Sequence, residues 1–209
     1  NIEEDKLEKY TGKEFLINGF EINYVKGTKP NIIDKVFDTW TQGRKDEQEA
    51  LWDFIGSIMY PKNTKSKMLL LYGPEAENGK STFQDLVHHM IGRDNTVASS
   101  LSQIESKHGA SNLLGKLLVR IDELEDRSLD KANNTKSIIT GGAIAVEEKF
   151  KTPTTMYPTQ KIMASTNNFP RVYDQTDGFW RRIMIIPFYW SHKREKVYYK
   201  FKESMLYTD

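Results

Sequence analysis

The stretch from Lys67 to Phe83, KMLLLYGPEAENGKSTF, restricts the fold more than any other part of the chain. Met68 to Tyr72 is a continuous apolar run of the kind found in strands buried on both faces. Gly73-Pro74 breaks the run, a polar loop follows, and Gly79-Lys80-Ser81-Thr82 leads into a helical pattern. Strand, glycine-containing loop, Lys-Ser/Thr and helix together build a cradle for nucleotide phosphates. Loop N–H groups and the positive helix end face the anion, Lys80 neutralises the terminal phosphates, and Ser81 offers a hydroxyl to Mg²⁺. The expected nucleotide-binding residues are therefore Gly73, Pro74, Asn78, Gly79, Lys80, Ser81 and Thr82. Five residues, Pro74 to Asn78, separate the two glycines where the usual motif has four. Glu75 and Glu77 put negative charge into that loop, so a phosphate cradle requires them to point outward.

Composition sets the outer bounds. Thirty basic side chains stand against twenty-nine acidic ones, so no global field draws the chain to nucleic acid or membrane, and any DNA contact is local. The absence of cysteine removes disulfides, thiol catalysis and cysteine-based zinc sites together, and fits a reducing cytoplasm. No apolar stretch reaches membrane-spanning length, and the N-terminus has no signal-peptide pattern. The first residue is Asn rather than Met, which suggests a piece of a longer protein. At 209 residues the expectation is a soluble cytoplasmic unit of one large or two small domains.

Along the chain, Glu14–Ile17 and Phe20–Val25 read as a hairpin on an Asn18-Gly19 turn. Ile33–Trp40 and Glu47–Ile58 follow as helical patterns, the second with Ala50, Leu51, Phe54, Ile55 and Ile58 on one face. Residues 1–60 thus form a hairpin and helical layer, and 61–209 the nucleotide-binding domain. Within the latter, Lys80–Ile91 reads as helix, Thr96–Ser99 as strand and Leu101–Leu114 as helix broken near His108-Gly109. Lys116–Ile121 is a further strand, and Leu129–Thr140 a helix stopped by Gly141-Gly142. Ile144–Phe150 and Thr154–Tyr157 read as two extended arms around Lys151-Thr152-Pro153. Lys161–Ser165 and Ile183–Ile186 are the last strands, with a loop holding Pro170 and Gly178 between them and a basic, aromatic helix from Lys193 after them. Five apolar runs alternating with helices predict an α/β fold, a parallel five-stranded sheet covered by helices on both faces.

Ligands sit off the carboxyl ends of strands in such sheets, so the ends of the other strands matter. Leu117–Glu123 ends in two carboxylates. Beside a phosphate loop, Asp122 is placed to hold Mg²⁺, through water, and Glu123 to orient and deprotonate an attacking water; by itself the pair fits a solvated strand end better. Asn167, after the strand Lys161–Ser165, can hydrogen-bond both a γ-phosphate and that water, or simply satisfy a turn. Arg181 and Arg182 precede the last strand, and one of them suits an arginine finger supplied to a neighbouring subunit, or both are surface arginines stacking on Trp180. Lys149, Phe150 and Lys151 bracket an aromatic with two cations at a predicted hairpin tip, a pattern that tracks a nucleic-acid backbone or forms a solvated turn. His88, His89, His108 and His192 form no ligand set.

In order, LLLYGPEAENGKSTF, LLVRIDELED, IITGGAIAVEEKFKTP, KIMASTNNFPRV and GFWRRIMIIPF resemble the superfamily 3 DNA helicases, and more narrowly the poxvirus and phage/plasmid primase–helicase group. The resemblance covers about Met68 to Phe188. It implies an AAA+-like ATPase that uses ATP and Mg²⁺, assembles into a ring, a hexamer, and threads single-stranded DNA past the Lys149–Lys151 hairpin. It implies phosphate and Mg²⁺ binding by Lys80 and Ser81, acidic-motif roles for Asp122 and Glu123, a sensor role for Asn167, and a finger at Arg181 or Arg182. A primase or other replication domain outside this chain also fits the resemblance. The chain departs from the group in its longer phosphate loop and in Ala143, where an acidic residue usually follows Thr-Gly-Gly. The reading is an ATP-dependent helicase or translocase on single-stranded DNA, in replication of a phage, plasmid or other mobile element. Its rivals are an ATP-gated DNA-binding initiator or assembly module with little turnover, and a P-loop nucleotide kinase.

Overall fold

The computed structural model describes residues 8–13, 16–20, 22, 25, 27, 31–60, 62, 66–125, 132–169 and 180–190. The loop with Pro170 and Gly178, and the helix predicted from Lys193, lie outside these residues.

The continuous apolar run forms β1 (Met68–Tyr72), a strand covered on both faces. Its side chains alternate between two hydrophobic clusters, Leu69 and Leu71 on one face, Met68 and Leu70 on the other. All four are at most 1% exposed. Around β1 lie β2 (Thr96–Ala98), β3 (Leu118–Ile121), β6 (Lys161–Thr166) and β7 (Ile183–Pro187), in the order β2-β3-β6-β1-β7. Every pairing is parallel, with Leu70 opposite Ala164 on one side and Ile185 on the other. The predicted parallel five-stranded sheet is what forms. Because β6 inserts between β1 and β3, the strand ends carrying Tyr72, Thr166 and Ile121 stand side by side on one rim.

One face of the sheet is covered by α1 (Asn31–Trp40), α2 (Lys45–Met59) and α3 (Lys80–Ile91), through Phe37, Trp40, Leu51, Phe54, Phe83 and Val87. The small helical N-terminal layer thus shares a hydrophobic core with α3. The other face packs on α4 (Leu101–Ile104), a 3₁₀ turn at Gly109–Leu113 and α5 (Asn133–Thr140). Ser100 caps α4 with a capping box closed by Gln103, and Gly141, at φ +75°, ends α5 where the sequence predicts a stop. The strands β4 (Ile144–Val146) and β5 (Thr154–Met156) form a separate antiparallel pair.

The predicted Asn18-Gly19 hairpin lies in part outside the described residues. Leu16 to Phe20 form no strand; residues 14, 15, 21, 23 and 24 of the predicted hairpin lie outside the described set. The Asn18 amide donates instead to Asn95 Oδ1 and Gly115 O, both at 2.8 Å, and Asn95 Nδ2 returns a bond to Gly19 O at 2.7 Å. Neither Asn18 nor Gly19 takes the left-handed backbone of a two-residue Asn-Gly turn, and the Asn18 and Asn95 amides, 77 residues apart, pair with each other.

Candidate active site

The loop between β1 and α3 is shaped by its glycines. Gly79 has φ +95°, and a Cβ there would lie 2.2 Å from Trp40 Nε1, so the indole of α1 packs directly on the backbone that opens α3. Gly73 admits the Asn78 side chain, whose Nδ2 would be 2.1 Å from a Cβ. Asn78, 2% exposed, donates to Phe188 O at 3.0 Å and accepts from Lys80 Nζ at 3.0 Å. Glu77 takes left-handed backbone at φ +60°, which turns the longer loop before Gly79 turns it again. Glu75 and Glu77 are both exposed. No side chain caps α3, and its first turn carries no acidic residue, so its first N–H groups present an anion site.

Lys80 is buried, and its ammonium donates to Gly73 O (2.8 Å), Asn167 Oδ1 (2.9 Å) and Asn78 Oδ1 (3.0 Å), with Glu75 O at 3.4 Å. Burial lowers its pKa from the ordinary lysine value, and the charge of Glu123 opposes that shift. Asn167 also donates through Nδ2 to Glu123 Oε1 at 3.3 Å. One amide therefore joins the loop lysine on α3 to the carboxylate beyond β3.

A polar pocket of about 230 Å³ opens at this rim. Asn78 to Thr82 line it from the loop and α3, and Asp122, Glu123, Ser165 and Asn167 from the strand ends, with Ala76 and Glu77 at the loop side. The structure thus brings together Asn78, Gly79, Lys80, Ser81, Thr82, Asp122, Glu123 and Asn167. Gly73 contributes its carbonyl to Lys80 without lining the pocket, and Pro74 is exposed outside it.

Arg181 and Arg182 stand elsewhere. Met68 N donates to Arg182 O at 2.9 Å and Lys67 Nζ to Arg181 O at 2.8 Å, which places both at the start of β1 and β7. A strand rises about 3.3 Å per residue, so they are roughly 15 Å from the pocket of their own chain. Lys149, Phe150 and Lys151 occupy the β4–β5 tip. Phe150 is 97% exposed at φ +67°, with Lys149 Nζ 5.5 Å from its ring centroid, and Lys151 pairs with Glu148 at 2.7 Å.

Three positioning groups carry no motif signal. Gln84 Nε2 donates to Ile121 O at 2.9 Å, fixing α3 to the end of β3. Ser165 Oγ donates to Asp122 O, and Leu124 N to Ser165 O at 2.8 Å. Arg120 donates through Nε to Asp122 Oδ1 and through Nη1 to Asp85 Oδ1 at 2.7 Å. Burial opposes the Arg120 charge, yet the hydrogen bonds and charges of Asp122 and Asp85 outweigh it, and its pKa is raised.

Ser81, Asp122 and Glu123 offer only oxygen donors, which suits Mg²⁺. Among the described residues no cluster of three or more His, Cys, Asp or Glu could hold a metal alone. No helix among the described residues is long and apolar enough to cross a membrane.

Residues 71–182 match the family model described as "Family of unknown function (DUF5906)". A "Putative helicase L207/L206" of Acanthamoeba polyphaga mimivirus is 26% identical over 155 residues, covering 70% of this chain and 16% of that protein. Two apo structures of the NrS-1 C-terminal region superpose with a TM-score of 0.67 at 17% and 16% identity, each covering 88% of this chain and 45% of that one. These likenesses establish a shared fold, and the chain spans less than half the length of each of these relatives.

Proposed function

This chain belongs to DUF5906, a family of unknown function, and from that premise we propose that it binds and hydrolyses ATP as the motor part of a viral-type replication helicase acting on single-stranded DNA. The observation that carries the reading is the convergence of Lys80, Asp122, Glu123 and Asn167 on one polar pocket at the carboxyl rim of the sheet. The name of the mimivirus relative supports the helicase part.

In this reading the α3 N-terminus and the loop amides bind the β- and γ-phosphates. Lys80 exchanges part of its internal shell for phosphate oxygens. Ser81 and, through water, Asp122 would hold Mg²⁺, which would supply charge neutralisation at the phosphates. Glu123 accepts a proton from the attacking water, and Asn167, already bridging Glu123 and Lys80, aligns that water with the γ-phosphate. Arg181 or Arg182 acts in trans, because both lie at the far end of their own sheet. A homo-oligomeric ring, a hexamer, supplies the neighbour. Phe150 and its lysines contact DNA, the ring stacking on a base and the cations tracking phosphates.

The test is phosphate release, with and without single-stranded DNA, alongside the assembly state. The proposal expects ATP-dependent assembly and DNA-stimulated release that Lys80→Ala abolishes. Parent-level hydrolysis by Lys80→Ala refutes it. The grip of Arg120 on Asp122 favours a second reading, an ATP-gated DNA-binding module with little turnover, in which assembly and DNA binding respond to ATP while phosphate release stays at background.

A further inference from the structure

We propose that Arg120 is a positioning residue that sets the metal requirement of this site, by holding the Asp122 carboxylate until a divalent cation displaces it. The inference rests on the nucleotide-binding reading above. Its geometry is a three-member bridge: Asp122 on the acidic strand end, Arg120 two residues earlier on β3, and Asp85 on α3, the helix that begins with Lys80. Arg120 is in β3 and Asp122 is the first residue after it, close enough in sequence for the guanidinium to reach the carboxylate. Asp85 lies one helical turn beyond Ser81, the other expected metal-binding side chain.

The bridge is unequal. The Arg120 side chain is 16% exposed, that of Asp85 34%, and that of Asp122 68%. Arg120 and Asp85 therefore form the inner, fixed pair, while Asp122 reaches outward into the pocket and can leave. A carboxylate cannot turn both oxygens to a hydrated cation and keep its full bond to a guanidinium, so Arg120 and Mg²⁺ compete for Asp122. Asp85 moderates the competition by sharing the guanidinium's charge.

This predicts opposite effects for the two inner partners. Arg120→Gln removes the competitor and leaves Asp122 free for the metal, so Mg²⁺ acts at lower concentration. Asp85→Asn leaves the arginine's charge to Asp122 alone, so more Mg²⁺ is needed. A partly exposed ion pair of this kind corresponds to a shift of about two- to fivefold in each direction.

The experiment titrates Mg²⁺ into the full chain with a fixed, subsaturating fluorescent ATP analogue and reads binding, not turnover. Affinity for the metal-free nucleotide, measured in EDTA, normalises each variant. The expected result is a lower Mg²⁺ midpoint for Arg120→Gln and a higher one for Asp85→Asn, with Arg120→Lys between wild type and Arg120→Gln. Midpoints that move the same way, as general loosening of the site would give, overturn the proposal, as do midpoints that do not move. If Arg120→Gln fails to fold, Asp85→Asn, at a more exposed position, decides alone: an unchanged or lowered midpoint overturns the proposal. Wild-type protein that binds no nucleotide, or binds it without any response to Mg²⁺, overturns the nucleotide reading and this inference together, whereas a normal wild-type response with unmoved variants overturns only the inference.

Discussion

Replacing Gly79 with Ala tests how the helical layer shapes the phosphate loop. At φ +95° any side chain pays a left-handed penalty of about 1–2 kcal/mol. The new Cβ would also stand 2.2 Å from Trp40 Nε1 and 2.6 Å from its Cε2. That indole is 0% exposed and hemmed in by Phe37, Phe83 and Phe188, with ring centroids 5.5 to 6.2 Å away, so it cannot swing aside cheaply. Overpacking of this kind costs about 1–3 kcal/mol, giving a total of roughly 2–5 kcal/mol. Gly43 supplies the control, since at φ +79° it has nothing within 4 Å of its Cβ position. Gly43→Ala should carry only the backbone cost of about 1–2 kcal/mol. Urea unfolding followed by circular dichroism measures both. Equal destabilisation of the two variants, to within about 0.5 kcal/mol, would refute the Trp40 contact as the feature that requires glycine.

Other predictions concern charge, the exposed tip and subunit partnership. Burial lowers the pKa of Lys80 and of Lys161 below 10.5, so the charged forms cost stability in the folded state. As pH rises through the depressed folded values toward 10.5, the unfolded chain holds more protons than the native one, and stability increases over that window. A Lys80→Met, Lys161→Met double variant should lose this alkaline gain, seen as a flatter dependence of the urea midpoint on pH between neutrality and 10.5. An identical dependence in both proteins contradicts the assignment. Phe150→Gly should leave the fold intact or stabilise it by about 1 kcal/mol, since it relieves φ +67° and removes an exposed ring, while weakening single-stranded DNA binding by about 1–3 kcal/mol. Unchanged DNA binding removes the tip from the interface. Arg181→Ala, Arg182→Ala protein mixed with Lys80→Ala protein should recover part of the phosphate release that each lacks, because functional sites form across mixed neighbours. No recovery in mixed rings argues against a finger in trans.

Much of this molecule is legible in its residues where signals are local. The apolar run Met68–Tyr72 and the Gly79-Lys80 junction predict β1 and the start of α3 at their observed positions. Gly141 marks the end of α5 for the same reason, a left-handed backbone that only a few residues tolerate. Asp122 and Asn167 are reachable by argument because parallel strands present their carboxyl ends on one rim. Long-range polar pairings are not legible. Arg120 and Asp85 are 35 residues apart, Gln84 and Ile121 are 37 apart, and no spacing rule links them. Asn18 is an instructive case. Asn-Gly encodes a hairpin turn when both residues take left-handed backbone, whereas here neither does and the Asn18 amide bonds Asn95 and Gly115 across the fold. The contact between Trp40 and Gly79 is equally hidden, since a buried aromatic on a helix says nothing of which backbone it will touch.

The central claim is that the pocket between Gly79 and Asn167 receives the polyphosphate of a nucleoside triphosphate. A crystal structure of the protein with a non-hydrolysable ATP analogue and Mg²⁺ tests it most directly. The account predicts β- and γ-phosphates against the amides of Gly79 to Ser81, with Lys80 Nζ turned from Asn78 and Asn167 toward their oxygens and Asp122 released from Arg120. Phosphates bound at any other place on the molecule, or a filled pocket in which Lys80 keeps its internal partners and touches no phosphate, would contradict it.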